Sequence, residues 1–107
     1  MLVLPIKKRW YDMILSGEKK EEYREIKKYY ETRFGSVFGC CTFGPDTECP
    51  AKEIMFRNGY SKKSPSFIAK CKLRTGEGKT EWGAEEGKKY YILEILKITT
   101  DNCISQS

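Results

Sequence analysis

The first residues of the chain combine a short apolar run with a helical pattern. Residues 1–6 are apolar and contain Pro5, which predicts a first β-strand. The next apolar positions recur with the spacing of one helix face; these are Ile6, Trp10, Met13 and Ile14. Gly17 stands where a C-terminal cap belongs, so we predict a helix over residues 7–16.

A charged segment and a second helical pattern follow this cap. Residues 19–26 carry Lys, Glu and Arg around one tyrosine, and we predict an extended strand there because Gly17 ends the earlier helix. Residues 27–34 predict a short second helix with its aromatic side chains on one face. Residues 35–50, GSVFGCCTFGPDTECP, predict an irregular loop because they hold three glycines and two prolines.

The second half of the chain has the two-residue alternation of half-buried strands. Asn58 and Gly59 supply a turn signal after the first of them, and the glycine-rich residues 75–87 predict a long loop. The last strand has the longest apolar run, which places it at the centre of the sheet, and the tail at 99–107 is expected to fray. The three predicted strands cover residues 51–57, 66–73 and 88–98.

These elements predict an α+β fold with few helices and a mixed strand order. A small mixed β-barrel of about five strands, with two short N-terminal helices, is the simplest arrangement, whereas a parallel α/β sheet would need more helices. The 107 residues are enough for one domain, 1–107, with one modest core. The formal charge of +5 favours polyanionic partners such as nucleic acid, although on its own it is also common among proteins without that role.

The composition excludes several kinds of chemistry. The chain has no histidine, so Ser-His-Asp and Cys-His catalysis and histidine metal sites are excluded. The first residues lack the order of charges of a signal peptide, and no apolar stretch is long enough to span a membrane, so we expect a cytoplasmic protein. Free thiols are then expected rather than disulfides or zinc, because the five cysteines include no C-x-x-C pair; they are Cys40, Cys41, Cys49, Cys71 and Cys103.

The charged stretch SGEKKEEYREIKK, residues 16–28, has two interpretations. It can be a solvated strand edge, or it can be a polar site built on a strand. Its residues fit the spacing G-x-K-x-x-E-x-R, which is filled by Gly17, Lys19, Glu22 and Arg24. With YDMILSG on the helix before it, this motif resembles the hallmark of the ASCH domain (activating signal cointegrator homology) of the PUA-like superfamily. The segments FRNGY (56–60) and EWGA (81–84) also resemble parts of small bacterial and phage ASCH-like proteins.

The ASCH resemblance implies a β-barrel with a cleft beside the motif for RNA or a nucleotide-like ligand. Arg24 offers a planar fork of donors for a phosphate or base edge, and Glu22 can accept from exocyclic amino groups. In a regular strand these two share a face and Lys19 has the opposite parity, so a bulge or an irregular turn after Gly17 is needed to bring Lys19 to them. The candidate ligand-binding residues are Lys19, Glu22, Arg24, Arg57, Tyr60 and Trp82.

A hydrolase is the alternative, because some ASCH relatives resemble amidohydrolases of N4-acetylcytidine and others are ribonucleases. Lys19 and Glu22 would then be catalytic, with Glu22 as a general base and Lys19 stabilising an oxyanion. The sequence departs from the amidohydrolases at Glu22, where they have threonine, and spacing selects no partner among the later glutamates Glu53, Glu77 and Glu81.

A third possibility is a protein-interaction domain whose basic face meets an acidic partner. In every case we expect a monomer without a metal, haem, flavin or nicotinamide cofactor, and without membrane association. Among these possibilities the sequence favours a binding module for RNA or a modified nucleotide.

Overall fold

The computed structural model describes residues 2–39 and 50–99 of the chain. Over these residues the fold is α+β, with five strands and two α-helices. The strands are β1 (Val3–Ile6), β2 (Glu21–Glu25), β3 (Lys52–Asn58), β4 (Ser66–Glu77) and β5 (Lys89–Ile98). The helices are α1 (Lys8–Ser16) and α2 (Lys28–Phe38), and a 3₁₀ turn covers Thr80–Trp82.

The strands form one curled half-barrel sheet in the order β1-β3-β4-β5-β2. β1 runs parallel to β3 and the other neighbours are antiparallel, so five strands in mixed order are confirmed, but they form a half-barrel instead of the predicted barrel. β1 and β2 are its two edges. The central strand is β4, so the prediction that the last strand is central was wrong; β5 is apolar because it lies beside β4 and is covered on both faces.

Helix α1 forms as its periodicity predicts. Tyr11 and Ile14 are buried on its inner face, and the helix ends at Gly17. Gly17 has φ 88°, and its N–H donates to the Ile14 carbonyl at 3.1 Å. This left-handed backbone is readily adopted only by glycine, so the cap explains why the chain leaves the helix here.

Two predicted element ends were wrong. Helix α2 continues to Phe38 instead of ending at residue 34, because Phe38 extends the buried face that Phe34 begins one turn earlier. Strand β4 continues to Glu77, inside the segment predicted as a loop, because its last residues pair with the start of β5. The predicted loop at 40–49 and the tail at 100–107 lie outside the described residues. Within the described part of the chain, neither helix is long and apolar enough to cross a membrane.

The main core lies on one face of the sheet, under the helices. It includes the rings of Phe34, Phe56 and Phe67 and the side chain of Leu93. A smaller cluster of Ala84, Tyr90, Ile92 and the partly buried Tyr23 covers the other face. Side chains alternate along β2, where Glu22 pairs with Leu93 and Arg24 with Tyr91, two residues of the main core. The motif carboxylate and guanidinium therefore point toward the inner face of the half-barrel.

Candidate functional site

The centre of the candidate site is a buried carboxylate between two cations. Glu22 is 6% exposed, and one of its oxygens lies 3.3 Å from Lys19 Nζ. Its other oxygen accepts a hydrogen bond of 2.9 Å from Arg24 Nη2. The structure thus brings together the three charged residues of the motif, as the sequence predicted.

An irregular turn brings Lys19 to this carboxylate. The Lys19 N–H donates to the Met13 carbonyl at 2.9 Å, which ties the residue to the end of α1. The pairing of β2 with β5 begins only afterwards, where the Ile95 N–H donates to the Lys20 carbonyl at 2.8 Å. The side chain of Lys19 therefore does not follow the in-and-out alternation of the strand, and the predicted irregular turn after Gly17 is confirmed.

The Lys19 ammonium group is fully occupied by the protein. Besides its ion pair with Glu22, it donates to the Glu21 carbonyl at 2.6 Å and to the Trp82 carbonyl at 2.9 Å. The rings of Trp10 and Tyr23 each lie 4.9 Å from it. Burial lowers the pKa of Lys19, and the Glu22 carboxylate opposes this effect. An ammonium has three N–H donors, so these contacts leave none for a ligand.

Arg24 connects the two edges of the sheet. Its Nη2 donates to the Pro5 carbonyl of β1 at 2.9 Å as well as to Glu22, and its Nη1 donates to the Tyr30 hydroxyl at 3.2 Å. Within residues 2–39 and 50–99, its buried Nε has no hydrogen-bond partner. Burial lowers the pKa of Arg24, but the Glu22 carboxylate and the Tyr30 hydroxyl outweigh it and raise the pKa above its ordinary value. The guanidinium is therefore a fixed positive charge.

A first cavity of about 390 Å³ opens beside this array. Its polar walls carry a carboxylate, a guanidinium, an amide and an amine, and its aromatic walls carry an indole and a phenol. Tyr60 stands at its rim and is 87% exposed. The residues that matter for its chemistry are Lys7, Trp10, Glu22, Arg24, Asn58 and Tyr60.

A second cavity of about 450 Å³ lies on the other side of Arg24, along the start of α2. The two cavities share Pro5, Arg24 and Tyr60 in their walls. The Arg24 guanidinium donates to Glu22 of the first cavity and to Tyr30 of the second, so this side chain is the partition between them. The other residues that characterise the second cavity are Lys27, Tyr29, Tyr30 and Arg33.

The six residues predicted from the sequence have different positions relative to the first cavity. Glu22, Arg24 and Tyr60 line it, whereas Lys19 lies behind Glu22 and outside the lining. Arg57 is also outside the lining; its guanidinium contacts the Met55 sulfur at 4.0 Å, and its buried Nε has no hydrogen-bond partner among the residues that the structure describes. Trp82 contributes its backbone carbonyl to Lys19, and its ring lies 4.6 Å from Lys79 Nζ.

Three of these cavity residues, Trp10, Lys7 and Asn58, were not among the predicted site residues. The helical periodicity assigned Trp10 to the core; it does pack against the core, but it also forms a wall of the cavity. A periodic pattern identifies the inward face of a helix without showing where that face meets an opening. Lys7 precedes α1 and carried no distinguishing signal in the sequence.

The described residues offer no metal centre. No group of three or more His, Cys, Asp or Glu side chains within residues 2–39 and 50–99 is arranged to hold a metal ion. Cys71 is a free, buried thiol, and burial raises its pKa to about 12, so it stays protonated near neutral pH. The cysteines considered for zinc, Cys40, Cys41 and Cys49, lie outside the described residues.

Comparison of the chain with protein families, with curated proteins and with solved structures found no match. The likeness to ASCH domains therefore remains a hypothesis that rests on the motif of residues 17–24 and its position after α1.

Proposed function

We propose that the first cavity binds a base of RNA or a modified nucleotide, as the ASCH resemblance implies. The observation that carries this proposal is the Glu22 carboxylate, which is held between Lys19 and Arg24 and lines a cavity between Trp10 and Tyr60. A buried acceptor with a fixed orientation, next to aromatic rings, is suited to a planar ligand that carries hydrogen-bond donors.

Each wall of the cavity matches a part of a nucleotide. Glu22 can accept from an exocyclic amino group of a base, and the Asn58 amide can both donate and accept. Trp10 and Tyr60 supply aromatic surface, and stacking on such rings contributes about 1–3 kcal/mol per base. Lys7 is exposed beside the cavity and can neutralise a phosphate. The cavity volume of about 390 Å³ falls within the range of small-ligand sites.

Binding is better supported than hydrolysis because of the contacts of Lys19. In the hydrolase alternative this residue would donate to an oxyanion, but its three N–H groups already have acceptors and its side chain is 1% exposed. Glu22 differs from Lys19, because each of its oxygens faces one cation and keeps a lone pair for a further donor from a ligand. The arrangement of Lys19, Glu22 and Arg24 is suited to holding the Glu22 carboxylate in place for recognition of a ligand, with Lys19 as a positioning residue.

The test is a binding titration with the four ribonucleoside 5′-monophosphates, N4-acetylcytidine and a short single-stranded RNA. We expect RNA affinity to fall steeply between about 50 and 200 mM salt. Tyr60→Ala should weaken binding about tenfold through lost stacking without affecting folding, because the ring is 87% exposed. Glu22→Gln should reduce the preference for bases with an amino group. Lys62→Ala, a change on the same exposed turn, is the control.

The outcomes separate the candidate functions. Binding that depends on Tyr60 and Glu22, with every ligand recovered unchanged by chromatography, supports the proposal. Deacetylation of N4-acetylcytidine or cleavage of the RNA would support the hydrolase instead. If no probe binds the parent protein, the proposed function is wrong.

A further inference from the structure

The second cavity combines cationic and aromatic side chains, as surfaces that bind nucleic acid do. The proposed function uses none of the residues that line this cavity alone. It continues the first cavity past the Arg24 partition and shares the exposed Tyr60 ring with it. Its floor is β1, and its wall is the first turns of α2. A ligand that leaves the first cavity over Tyr60 would enter this groove.

A cation and an aromatic ring are already arranged together in the groove. Arg33 and Tyr29 are four residues apart on α2, so they lie on the same side of the helix. The Arg33 guanidinium lies 3.6 Å from the centre of the Tyr29 ring, and its Nη1 donates to the Tyr29 carbonyl at 3.2 Å. Tyr29 is 52% exposed and meets Tyr30 edge to face at 4.9 Å. The pair offers a planar stacking surface with a positive charge whose orientation is set before binding.

Arg33 supplies the uncompensated charge of the groove. Within the described part of the chain it takes part in no ion pair, whereas Lys27 lies 3.5 Å from Glu25, which also meets Lys88. The positive potential of the groove is therefore centred on Arg33, since Arg24, which the groove shares with the first cavity, is paired with Glu22 at 2.9 Å. Charge and aromatic surface coincide at the same place on α2.

We infer that this groove is a second subsite, which binds the nucleotide next to the one held in the first cavity. The inference rests on the proposed function and deepens it. The ligand is then a single-stranded RNA of at least two nucleotides, with one base beside Glu22, a phosphate near Arg24 and Arg33, and the next base against Tyr29. A free nucleoside would use only the first cavity.

The test compares a free ribonucleoside, which has no phosphate, with a short single-stranded RNA for each variant. Tyr29→Ala and Arg33→Ala should each weaken RNA binding about tenfold and leave the affinity for the nucleoside unchanged. Glu22→Gln should weaken the binding of both ligands. Lys72→Ala is the matched control, because it also removes one exposed positive charge but lies on β4, on the face opposite the core. A polyglutamate peptide serves as a competitor that carries charge without bases.

The outcomes distinguish this inference from the proposed function. If Tyr29→Ala and Arg33→Ala bind RNA like the parent while Glu22→Gln binds it less tightly, the inference of a second subsite is wrong and the proposed function of the first cavity is unaffected. If polyglutamate displaces RNA at equal charge concentration, the groove recognises acidic chains in general and the inference is overturned. If the parent binds neither RNA nor the nucleoside, both the proposed function and the second subsite are wrong.

Discussion

At the scale of single residues, the most unusual feature is a lysine with no solvent contact. The Lys19 side chain is 1% exposed, and a buried ammonium is tolerated only when every N–H has an acceptor. Its acceptors come from the start of β2 and from the 3₁₀ turn. Lys19 therefore joins α1, β2 and the 3₁₀ turn at one point and fixes the carboxylate of Glu22.

Replacing Lys19 by methionine should lower the free energy of unfolding by about 2–4 kcal/mol. The variant removes the Lys19 donor from two partly buried carbonyls and removes one of the two cations that face Glu22. Urea unfolding measures the effect. Lys20→Met changes the neighbouring exposed lysine and should stay within about 0.5 kcal/mol of the parent. Equal stabilities for the two variants would show that the Lys19 contacts contribute little.

Part of this arrangement could be predicted from the sequence, and part could not. Alternation along a strand correctly placed Glu22 and Arg24 on one face. The contact between Lys19 and the Trp82 carbonyl joins residues 63 positions apart, and no local pattern contains that information. Arg57 was proposed for the cavity, but its neighbour Asn58 lines it, because adjacent strand residues point to opposite faces.

At the scale of elements, the segment after β4 is packed closely against β2. A Cβ atom on Gly78 would lie 2.5 Å from Tyr23 Cζ and 2.9 Å from the Ala84 side chain. The Tyr23 ring has little freedom to move away, because its hydroxyl donates to Glu21 at 2.7 Å and accepts from the Lys79 N–H at 2.9 Å. This contact holds the outer face of the strand that carries the motif.

Two glycine substitutions should therefore have opposite effects. Gly78→Ala should destabilise the protein by about 1–3 kcal/mol, because the added methyl overlaps a fixed ring. Gly35→Ala should stabilise it by up to about 1 kcal/mol, because Gly35 lies within α2 and nothing is within 4 Å of the added atom. Thermal unfolding of both variants beside the parent is the measurement. A loss of stability in Gly35→Ala would contradict the open space that the structure shows beside Gly35 on α2.

The errors in element length have a common physical cause. Gly35 and Gly76 were interpreted as interruptions, yet they lie inside α2 and β4. Glycine weakens a helix or strand by only about 1 kcal/mol, which tertiary contacts such as the burial of Phe38 can outweigh. Gly17 did end its helix, because no comparable buried residue continues the pattern beyond it.

At the scale of the whole molecule, the sheet is an open half-barrel whose edges are linked by a side chain. β1 and β2 are at opposite ends of the strand order, and Arg24 spans from one to the other through Pro5. The same guanidinium separates the two cavities. The geometry of the candidate site thus depends on how firmly the two edges are held together.

Arg24→Lys should loosen this link while keeping the charge. A lysine ammonium is compact and cannot reach Glu22, the Pro5 carbonyl and the Tyr30 hydroxyl together. We expect the amides of β1 to exchange hydrogen about tenfold faster, with β4 unchanged, as measured by NMR. Arg33→Lys, a substitution of the same type on α2, should leave β1 as in the parent. Unchanged exchange in β1 would show that Arg24 does not hold the edges together.

The hydrogen bond between Arg24 and Pro5 also changes what the edge strand β1 offers to a strand of another chain. The Leu2 carbonyl accepts from the Met55 N–H, so by alternation Pro5 faces away from β3, toward the open margin of the sheet. Proline has no N–H to offer, and its carbonyl is already taken by the guanidinium. At Pro5, therefore, the edge strand offers an incoming strand neither a backbone donor nor a free acceptor, and an edge interrupted in this way is less prone to pair with another chain.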